Sequence, residues 1–504
     1  MSTEGQLVGL ASAVLQPGFV GTARPPEWVR RWLAEGLGGV VLFARNVVDP
    51  EQVATLTAAL RAERPDVLVA IDEEGGDVTR IESRRGSSRP GNLALGAIDD
   101  PELTESVARD LGAELAAAGI TLNYAPDADV NANPDNPVIG VRAFGADPDL
   151  VARHTAAWVR GLQSAGVAAC AKHFPGHGDT SVDSHLDIPR ITASLDRLDA
   201  CELAPFRAAI RAGVQAVMTG HLLVPELDPH WPATLSRRVL TGLLREELGF
   251  AGVVVTDGIE MRAVAERYGF AAAAVRALAA GADAICVGGD HAAEADARRL
   301  RDAIVAAVTS GALPEERLVE AAKRVGQLAE WTAAARAQRP PWPGARPDGS
   351  PVGLAAARRA VRLTAAPGAV ALPLTGPAHV LELAPPRNIA VGAETPWGVG
   401  APLAALLPGT TTARVAADEL DDAGRPPAEA LAAARGRALV LVVRDLHRHA
   451  WMAAAARWVL ADRPDAIVVE LGVPAVVTGR LPLATYGAGW ASGRAAAEVL
   501  VGRS

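Results

Sequence analysis

The sequence predicts an α/β protein in which a (β/α)8 barrel of the TIM type is followed by a smaller α/β domain. Short apolar, β-branched runs alternate with stretches of helical period over residues 1–338, and there are eight such runs. A proline-rich segment at 339–352 interrupts this alternation, which resumes over 353–504. The chain has 504 residues, which is too long for one compact core, because single domains typically hold about 100–200 residues.

The eight candidate strands of the first domain are apolar along their length, which is typical of parallel strands covered by helices. Amphipathic stretches such as 51–63 and 198–212 separate most of them. Eight such units fit a closed barrel of about 250 residues or more. An open doubly wound sheet is the alternative, but no G-x-G-x-x-G follows the first strand. The strands are expected at 10–15, 38–44, 67–72, 120–125, 167–173, 214–221, 252–257 and 283–288.

The segment 339–352 contains five prolines and no periodicity, so we expect it to be an extended linker. Residues 353–504 predict an α/β sandwich domain without a dense cluster of His, Asp or Asn. Its strands are expected near 369–374, 379–384, 438–444 and 466–471, and its helices near 353–363, 426–435, 449–461 and 490–501.

Composition narrows the class of function. Lys plus Arg total 49 and Asp plus Glu total 58, and the resulting charge of −9 argues against a nucleic-acid partner. No apolar run approaches the ~18 residues of a membrane helix. The start, M-S-T-E-G-Q, lacks the basic residues of a signal peptide, so we expect a cytoplasmic protein. Cys170, Cys201 and Cys286 lie far apart and are expected to be small buried apolar residues.

Arginine supplies almost all of the positive charge, and Lys172 and Lys323 are the two lysines of the chain. Most surface positions accept either cation. A lysine retained in such a chain is therefore a candidate for a role that a compact ammonium performs and a planar guanidinium does not. Lys172 also lies where scarce residues gather, because three of the ten histidines fall between 173 and 185.

Polar residues stand where the candidate strands end, and in a parallel barrel these ends form the face that carries the active site. Any one of them alone is more often a helix cap or a loop hydrogen bond. Several polar residues on one rim are harder to explain as helix caps or loop hydrogen bonds. They are Asp72, Asn123, Lys172 with His173, His221 and Asp257.

The stretch 171–189, A-K-H-F-P-G-H-G-D-T-S-V-D-S-H-L-D-I-P, opens a long loop that could carry Asp183 and His185 over the barrel mouth. In such a pair the carboxylate can fix the tautomer of the imidazole and make its other nitrogen a better base. A contact that merely orders the loop is the alternative. Asp257 could attack an electrophilic carbon and form a covalent intermediate, with Glu260 as the fallback carboxylate.

A metal site built from His173, His177, Asp179 and His185 is another alternative, because these ligand types suit zinc. However, the H-x3-H pair lies on a proline–glycine turn, where no helix aligns the two imidazoles. The interpretation without a metal is therefore preferred.

Together these residues resemble glycoside hydrolase family 3, in particular its NagZ-type β-N-acetylhexosaminidase branch in the two-domain form. The resemblance rests on the segments G-G-V-V-L-F-A-R-N at 38–46, I-D-E-E-G-G-D-V-T-R-I at 71–81, N-P-V-I-G-V-R-A-F-G at 136–145 and K-H-F-P-G-H-G-D-T-S-V-D-S-H at 172–185. It implies a retaining exo-β-N-acetylglucosaminidase that releases terminal N-acetylglucosamine, commonly from peptidoglycan fragments. It also implies a reaction independent of metals and organic cofactors.

The resemblance also implies roles for individual residues. Asp257 corresponds to the nucleophile, His185 to the general acid/base, and Asp183 to the partner of His185. The positions that correspond to residues holding the N-acetylglucosamine ring are Asp72, Arg80, Arg142, Lys172 and His173.

Three positions depart from the family's pattern. Where members usually have D-Q-E-G-G-R-V, Glu73 replaces the glutamine and Asp77 the arginine, which predicts more negative charge near the rim. Members often have Asp or Ala after the nucleophile, whereas this chain has Gly258. We expect these departures to affect substrate detail more than the type of reaction.

Three alternatives to hydrolysis of an N-acetylglucosaminide stay open. A histidine acid/base removes a negative charge from the face that the second-step acceptor approaches, because most glycosidases use two carboxylates. Phosphate could therefore replace water, which would make the enzyme a phosphorylase. A β-glucosidase or β-xylosidase would lack the loop at 172–185, and a catalytically dead sugar-binding protein would retain binding alone. The expected partner is a small glycoside or muropeptide, with phosphate as a possible acceptor.

Overall fold

The computed structural model describes residues 3–180, 188–289, 291–338, 346, 348–367, 372–386, 388, 390–392, 394–476 and 478–503. The chain divides into two compact units. Unit 1 comprises Met1–Glu74, Pro101–Ile139 and Gly145–Ala345, and unit 2 comprises Gly75–Asp100, Gly140–Phe144 and Arg346–Ser504. The second unit therefore includes two short segments that precede the proline-rich run.

Seventeen α-helices are numbered here along the described part of the chain. Several begin at clear sequence signals: Asp49 and Asp147 each cap a helix whose first residue is proline. None of the helices in the described ranges is long and apolar enough to cross a membrane. They are α1 Glu4–Ala13, α2 Glu27–Ala34, α3 Pro50–Glu63, α4 Asn92–Ile98, α5 Pro101–Ala117, α6 Pro148–Ser164, α7 Leu195–Arg197, α8 Ala204–Arg211, α9 Arg262–Tyr268, α10 Phe270–Ala280, α11 Glu294–Thr309, α12 Glu315–Gln338, α13 Pro351–Ala360, α14 Gly400–Leu406, α15 Ala428–Ala432, α16 Ala450–Asp462 and α17 Trp490–Leu500.

Eight short, fully buried strands form the centre of unit 1. Strands β2 to β7 make a six-stranded parallel sheet in chain order, and β1 pairs in parallel with β8. Bridges between Gly18 and Val41 and between Val255 and Ala284 join the two sheets at their edges. The predicted α/β class is confirmed, and the parallel sheet is curled. The complete (β/α)8 barrel stays a prediction. The strands are β1 Leu15–Pro17, β2 Gly39–Leu42, β3 Leu68–Ile71, β4 Leu122–Asn123, β5 Ala168–Phe174, β6 Ala216–Thr219, β7 Val253–Thr256 and β8 Ile285–Val287.

The first strand lies later in the chain than the sequence predicts. Residues 10–13 belong to α1, and β1 begins at Leu15. Thr3 caps α1 in a capping box with Gln6, and this start carries the helix through the small apolar residues that follow. Alanine and leucine fit a buried helix as well as a strand, so periodicity does not separate the two in so short a run. The other seven strands fall within one or two residues of their predicted positions.

Small and medium apolar side chains fill the interior of the curled sheet. Each strand from β2 to β8 contributes to this core, and α12 adds three residues to it. Cys170 and Cys286 belong to the same core, and all three cysteines are free and buried, as predicted. The interior is therefore a packed core below the carboxyl ends of the strands. It consists of Val41, Leu68, Ala70, Leu122, Tyr124, Ala168, Cys170, Ala216, Met218, Val253, Val255, Ala284, Cys286, Val325, Leu328 and Ala329.

Unit 2 is built on a six-stranded sheet of order β11-β10-β12-β13-β14-β9, parallel except that β9 runs antiparallel to β14. Val440 and Val442 of β12 join a core with α17, whereas Leu439 and Leu441 join a core with α16. Helices therefore cover both faces of the sheet. The strands are β9 Arg362–Leu363, β10 His379–Leu383, β11 Thr411–Val415, β12 Leu439–Val443, β13 Ile467–Glu470 and β14 Leu481–Ala484.

The prediction for this region recovered β10, β12 and β13 and missed the other three strands. The expected strand at 369–374 is absent in its described part, 372–374, while 368–371 lie outside the described residues. Strand β11 was missed because its residues alternate between exposed and half-buried along T-T-A-R, without an apolar run.

Candidate active site

Predicted rim residues of unit 1 gather at the carboxyl ends of its strands. Asp72 follows β3, Lys172 lies on β5, and Asp257 follows β7. The Cys170 thiol is buried in the core below these three residues. Burial raises the pKa of this thiol, and the charges of Lys172, Asp72 and Asp257 all act on it. Asp72, Lys172 and Asp257 therefore stand at the same end of one parallel sheet, and Lys172 pairs directly with Asp72.

The Lys172 ammonium forms ion pairs with two carboxylates, those of Asp72 and Glu74. The Lys172 Nζ to Glu74 Oε1 distance is 2.6 Å, and both of these side chains are only 3% exposed. A lysine is rarely buried to this degree unless it is paired. The prediction that a compact cation has a special role here agrees with this environment. Glu74 was not singled out from the sequence, although it lies in the quoted segment I-D-E-E-G-G.

His173 is held by Asp129. The His173 Nδ1 lies 2.7 Å from Asp129 Oδ2, and the other Asp129 oxygen accepts backbone N–H groups of His173 and His177 at 3.2 and 2.7 Å. The carboxylate directs the Nδ1 proton of His173 toward itself, which orients the ring. Burial alone would raise the pKa of Asp129, but the charge and hydrogen bond of His173 outweigh burial and lower it. Asp129 follows the fourth strand in the run D-A-D, a signal that the sequence analysis missed.

The alternative metal site receives no support from these contacts. Of the described residues, Asp127, Asp129 and His173 come within 4.8 Å of one another, and the hydrogen bond between His173 and Asp129 accounts for that closeness. Asp179, a member of the alternative ligand set, lies 3.8 Å from the Arg197 guanidinium. His185, another member, lies outside the described residues.

The segment that follows β7 is fixed by backbone contacts. The Asp257 N–H donates to the Thr219 carbonyl at 3.1 Å, and the Gly258 N–H donates to Asp257 Oδ1 at 2.8 Å. His221, fully buried, lies with Nε2 3.0 Å from the Gly258 carbonyl and Nδ1 2.9 Å from the Thr234 hydroxyl. Because a carbonyl only accepts, Nε2 carries the proton that it donates. His221 therefore positions the backbone beside Asp257.

The predicted dyad Asp183 and His185 lies outside the described residues. The base of its loop, however, contacts a carboxyl that sequence reasoning missed. Glu202 is fully buried, and a Cβ at Gly176, whose φ is +128°, would lie 2.6 Å from Glu202 Oε2. Neither carboxyl oxygen of Glu202 has a hydrogen-bond partner within the described ranges. Burial, reinforced by the negative charges of Asp129 and Asp179, raises the pKa of Glu202 to about 8.

Arg80 and Arg142, the two predicted substrate-binding arginines, belong to unit 2. The Arg80 guanidinium donates to the Ala390 carbonyl at 2.8 Å, and the Arg142 carbonyl accepts from the Asn92 amide at 2.7 Å. Both residues are less than a tenth exposed. Their contact with a substrate stays a prediction.

The departure at Asp77 does not add an uncompensated charge, contrary to the sequence-based expectation. Asp77 Oδ2 lies 2.7 Å from the Arg444 guanidinium, and Oδ1 accepts the N–H groups of Ala488 and Gly489 at 2.7 and 3.1 Å. The Asp77 side chain is 4% exposed. The expectation was wrong because the compensating arginine lies far away in the sequence, on the segment after β12.

A curled parallel sheet whose carboxyl ends carry an aspartate, a paired lysine and an oriented histidine is typical of a barrel enzyme with its site at that face. The chain belongs to glycoside hydrolase family 3: the model of the glycosyl hydrolase family 3 N-terminal domain matches residues 11–328.

Individual relatives agree with this assignment. A β-hexosaminidase of Stenotrophomonas maltophilia is 41% identical over 289 residues, which cover 56% of this chain and 82% of the relative. β-Hexosaminidase A of Pseudoalteromonas piscicida is 38% identical over 52% of this chain, and the match spans about half of that relative (47%). The structure of a family 3 β-N-acetylglucosaminidase from a Paenibacillus species superposes with a TM-score of 0.86 at 36% identity, covering 100% of this chain and 97% of that one. The predicted family and the predicted enzyme class, a glycoside hydrolase of the β-hexosaminidase type, are confirmed.

Replacing Lys172 by methionine tests the buried ion pairs. K172M leaves the carboxylates of Asp72 and Glu74 without this cation in a largely buried place, so we expect the free energy of unfolding to fall by about 3–5 kcal/mol. Chemical denaturation measures this change. The exposed Lys323 offers a matched control, and K323M should change stability by less than about 0.5 kcal/mol. Equal effects of the two substitutions would contradict the assignment.

Replacing Glu202 by glutamine tests the proton held by this carboxyl. The folded state keeps the proton up to pH about 8, whereas the unfolded state releases it near the ordinary value of 4.5. The free energy of unfolding of the wild type therefore falls as pH rises from 4.5 to about 8. Glutamine cannot ionise, so E202Q should be the more stable protein at pH 8, by a few kcal/mol, and should lose this advantage toward pH 4.5.

Thermal unfolding of the wild type, E202Q and the exposed control E246Q at several pH values measures this difference. The control should follow the wild type at every pH. A difference between E202Q and the wild type that does not vary with pH would rule out a protonated Glu202.

Proposed function

We propose that this protein is a retaining exo-β-N-acetylglucosaminidase that removes terminal, non-reducing N-acetylglucosamine. The observation that carries the proposal is that Asp257 stands at the same carboxyl-terminal end of the parallel sheet as the ion pair between Lys172 and Asp72. That arrangement places a carboxylate beside a set of polar groups able to hold a sugar. The names of the relatives, β-hexosaminidase and β-N-acetylglucosaminidase, support an amino sugar as the group removed.

In the proposed reaction the Asp257 carboxylate attacks the anomeric carbon and forms a glycosyl ester as the bond to the aglycone oxygen breaks. An acid donates a proton to that oxygen, and the aglycone leaves. The same group then removes a proton from water, which attacks the anomeric carbon and releases Asp257. Two inversions give net retention. The hydrogen bonds from Gly258 N–H and to Thr219 O hold Asp257 in one orientation, which reduces the entropy lost in the attack.

We assign the acid/base role to His185, oriented by Asp183. The support for this assignment is the Asp-x-His pattern and the family resemblance of the segment 172–185 that contains it. An imidazole with an ordinary pKa near 6.5 can give and take a proton near neutral pH, as the two steps require.

We assign the sugar-holding role to five residues on the basis of the family resemblance, namely Asp72, Arg80, Arg142, Lys172 and His173. The shared ion pair gives Asp72 a fixed position from which to accept hydroxyl protons, while Lys172 and the arginines supply donors. We further propose that peptidoglycan-derived fragments are natural substrates, an assignment that rests on the family resemblance alone. The comparisons favour neither the phosphorylase nor the sugar-binding alternative, and a structural likeness to a β-glucoside phosphorylase at 21% identity indicates the fold only.

Substitution of the nucleophile tests the proposed function. D257N should lower kcat on an aryl β-N-acetylglucosaminide at least about 10³-fold, because an amide cannot form the ester intermediate. Mass spectrometry of the wild type with a slow substrate should show an added N-acetylglucosaminyl group on the peptide that contains Asp257.

The exposed D302N serves as the matched control and should turn over at the wild-type rate. Parallel assays with added inorganic phosphate show whether the sugar is released to water or as its 1-phosphate. Turnover by D257N at the wild-type rate would overturn the proposal.

Substitution of the proposed acid should discriminate between leaving groups. H185A should be impaired far more on an alkyl or disaccharide substrate than on a nitrophenyl glycoside, because a good leaving group needs little protonation. The ratio of kcat values on the two substrates, relative to the wild type, is the measurement. Equal losses on both substrates would remove His185 from the acid role.

A further inference from the structure

Glu260 places a second carboxyl beside Asp257, three residues along the same segment. This carboxyl folds back over the ends of β7 and β8. A Cβ added at Gly258 would lie 2.8 Å from Glu260 Oε1, and one added at Gly288 would lie 3.0 Å from it. Glu260 therefore occupies a slot that glycine leaves open at the mouth of the curled sheet.

Gly258 is also one of the positions where this chain departs from the family's pattern. The Asp or Ala found there in many members carries a Cβ, and real Cβ atoms essentially never come as close as 2.8 Å to another heavy atom. With either residue the Glu260 carboxyl would have to move away. The absence of a Cβ at Gly258 therefore allows the Glu260 carboxyl to occupy its present position.

The surroundings of Glu260 favour the neutral acid. Burial raises its pKa, and the nearby negative charge of Asp257 acts in the same direction. The charge of His291 acts in the opposite direction and lowers the pKa of Glu260. The nearby Cys286 thiol on β8 has a raised pKa and supplies no positive charge. Arg45 reaches this end of the sheet, but its guanidinium donates to the Gly289 carbonyl at 2.6 Å. The negative charge of Asp257 and the burial of Glu260 thus both favour the neutral form of the Glu260 carboxyl.

One oxygen of this acid lacks a hydrogen-bond partner in the described part of the chain. This oxygen, Glu260 Oε2, is buried. A buried carboxyl oxygen without a partner costs free energy unless a bound molecule satisfies it. A neutral carboxylic acid offers a donor as well as an acceptor, which a carboxylate does not.

We infer that Glu260 determines specificity in the proposed site by donating a hydrogen bond from its carboxyl to the substituent at C2 of the bound sugar. The inference rests on the proposed function, because it takes Asp257 as the group that reaches C1. The neighbours of C1 are the ring oxygen and C2. The ring oxygen gains positive charge in the oxocarbenium-like transition state and is a poor acceptor, whereas hydrogen bonds at position 2 strengthen there. The carbonyl of an acetamido group is the acceptor that an amino sugar provides at C2.

The test compares two substrates, para-nitrophenyl β-N-acetylglucosaminide and its 2-deoxy analogue, which lacks any C2 substituent. E260A should lower kcat/KM on the first about 10- to 100-fold and leave that on the second within about threefold. E260Q keeps an N–H donor and should retain most of the wild-type preference for the acetamido substrate. The exposed E266A, on the following helix, is the matched control and should preserve the preference completely.

G258A provides an independent variant, because the added Cβ displaces the flexible end of Glu260 rather than the backbone. It should reduce the preference as E260A does, and the double variant should show no further loss, since both act on one contact. The preference of the wild type should also fall as the pH rises and Glu260 ionises, while that of E260Q should stay level. If E260A loses activity equally on both substrates, or if the wild type and E260Q share one pH profile, the inference is wrong. A wild type that cleaves neither substrate would instead overturn the proposed function.

Discussion

The burial of a single ammonium group between two carboxylates is the interaction on which the rim of unit 1 depends. Lys172 lies on β5 while Asp72 and Glu74 follow β3, so the ion pairs connect strands that are not neighbours in the sheet. Without the cation, two carboxylates would lie together at a largely buried place, where desolvation and mutual repulsion both disfavour them. With it, Asp72 has a fixed position as an acceptor.

The other acids near the rim keep defined protonation states for similar reasons. Asp129 stays ionised because His173 compensates its burial. For Glu202 and Glu260, by contrast, burial is the largest influence on the pKa and favours the neutral form. Carboxyl groups near the same end of the curled sheet thus differ in which protonation state their surroundings favour. The proposed nucleophile Asp257 thus shares its end of the sheet with Asp72, which is paired with Lys172, and with Glu260, whose neutral form is favoured by burial.

The fold was largely predictable, because buried parallel strands leave apolar runs that a single sequence displays. Seven of the eight strands of unit 1 were recovered closely, and β1 was misplaced where Ala and Leu serve a helix equally well. Strand β11 was missed because half of its residues face outward and its apolar signal is weak. Asp72, Lys172 and Asp257 were found from the sequence because each stands at a strand end. Asp129 and Glu202 were not, because their roles depend on contacts that strand positions do not reveal.

The departures from the family's pattern show why residue identity alone was insufficient. Asp77 suggested added negative charge, but its charge is balanced by Arg444, which lies more than 350 positions later and is not marked by any local signal. Gly258 suggested a minor change, but its missing Cβ is what leaves room for the Glu260 carboxyl. In each case the effect of the substitution depends on a second residue that contacts it. The net charge and the free space at a position depend on the residues that contact it. In a parallel sheet these residues come from strands that are far apart in the sequence. A change at such a position therefore has to be interpreted together with the residue it contacts before any conclusion about the substrate is drawn.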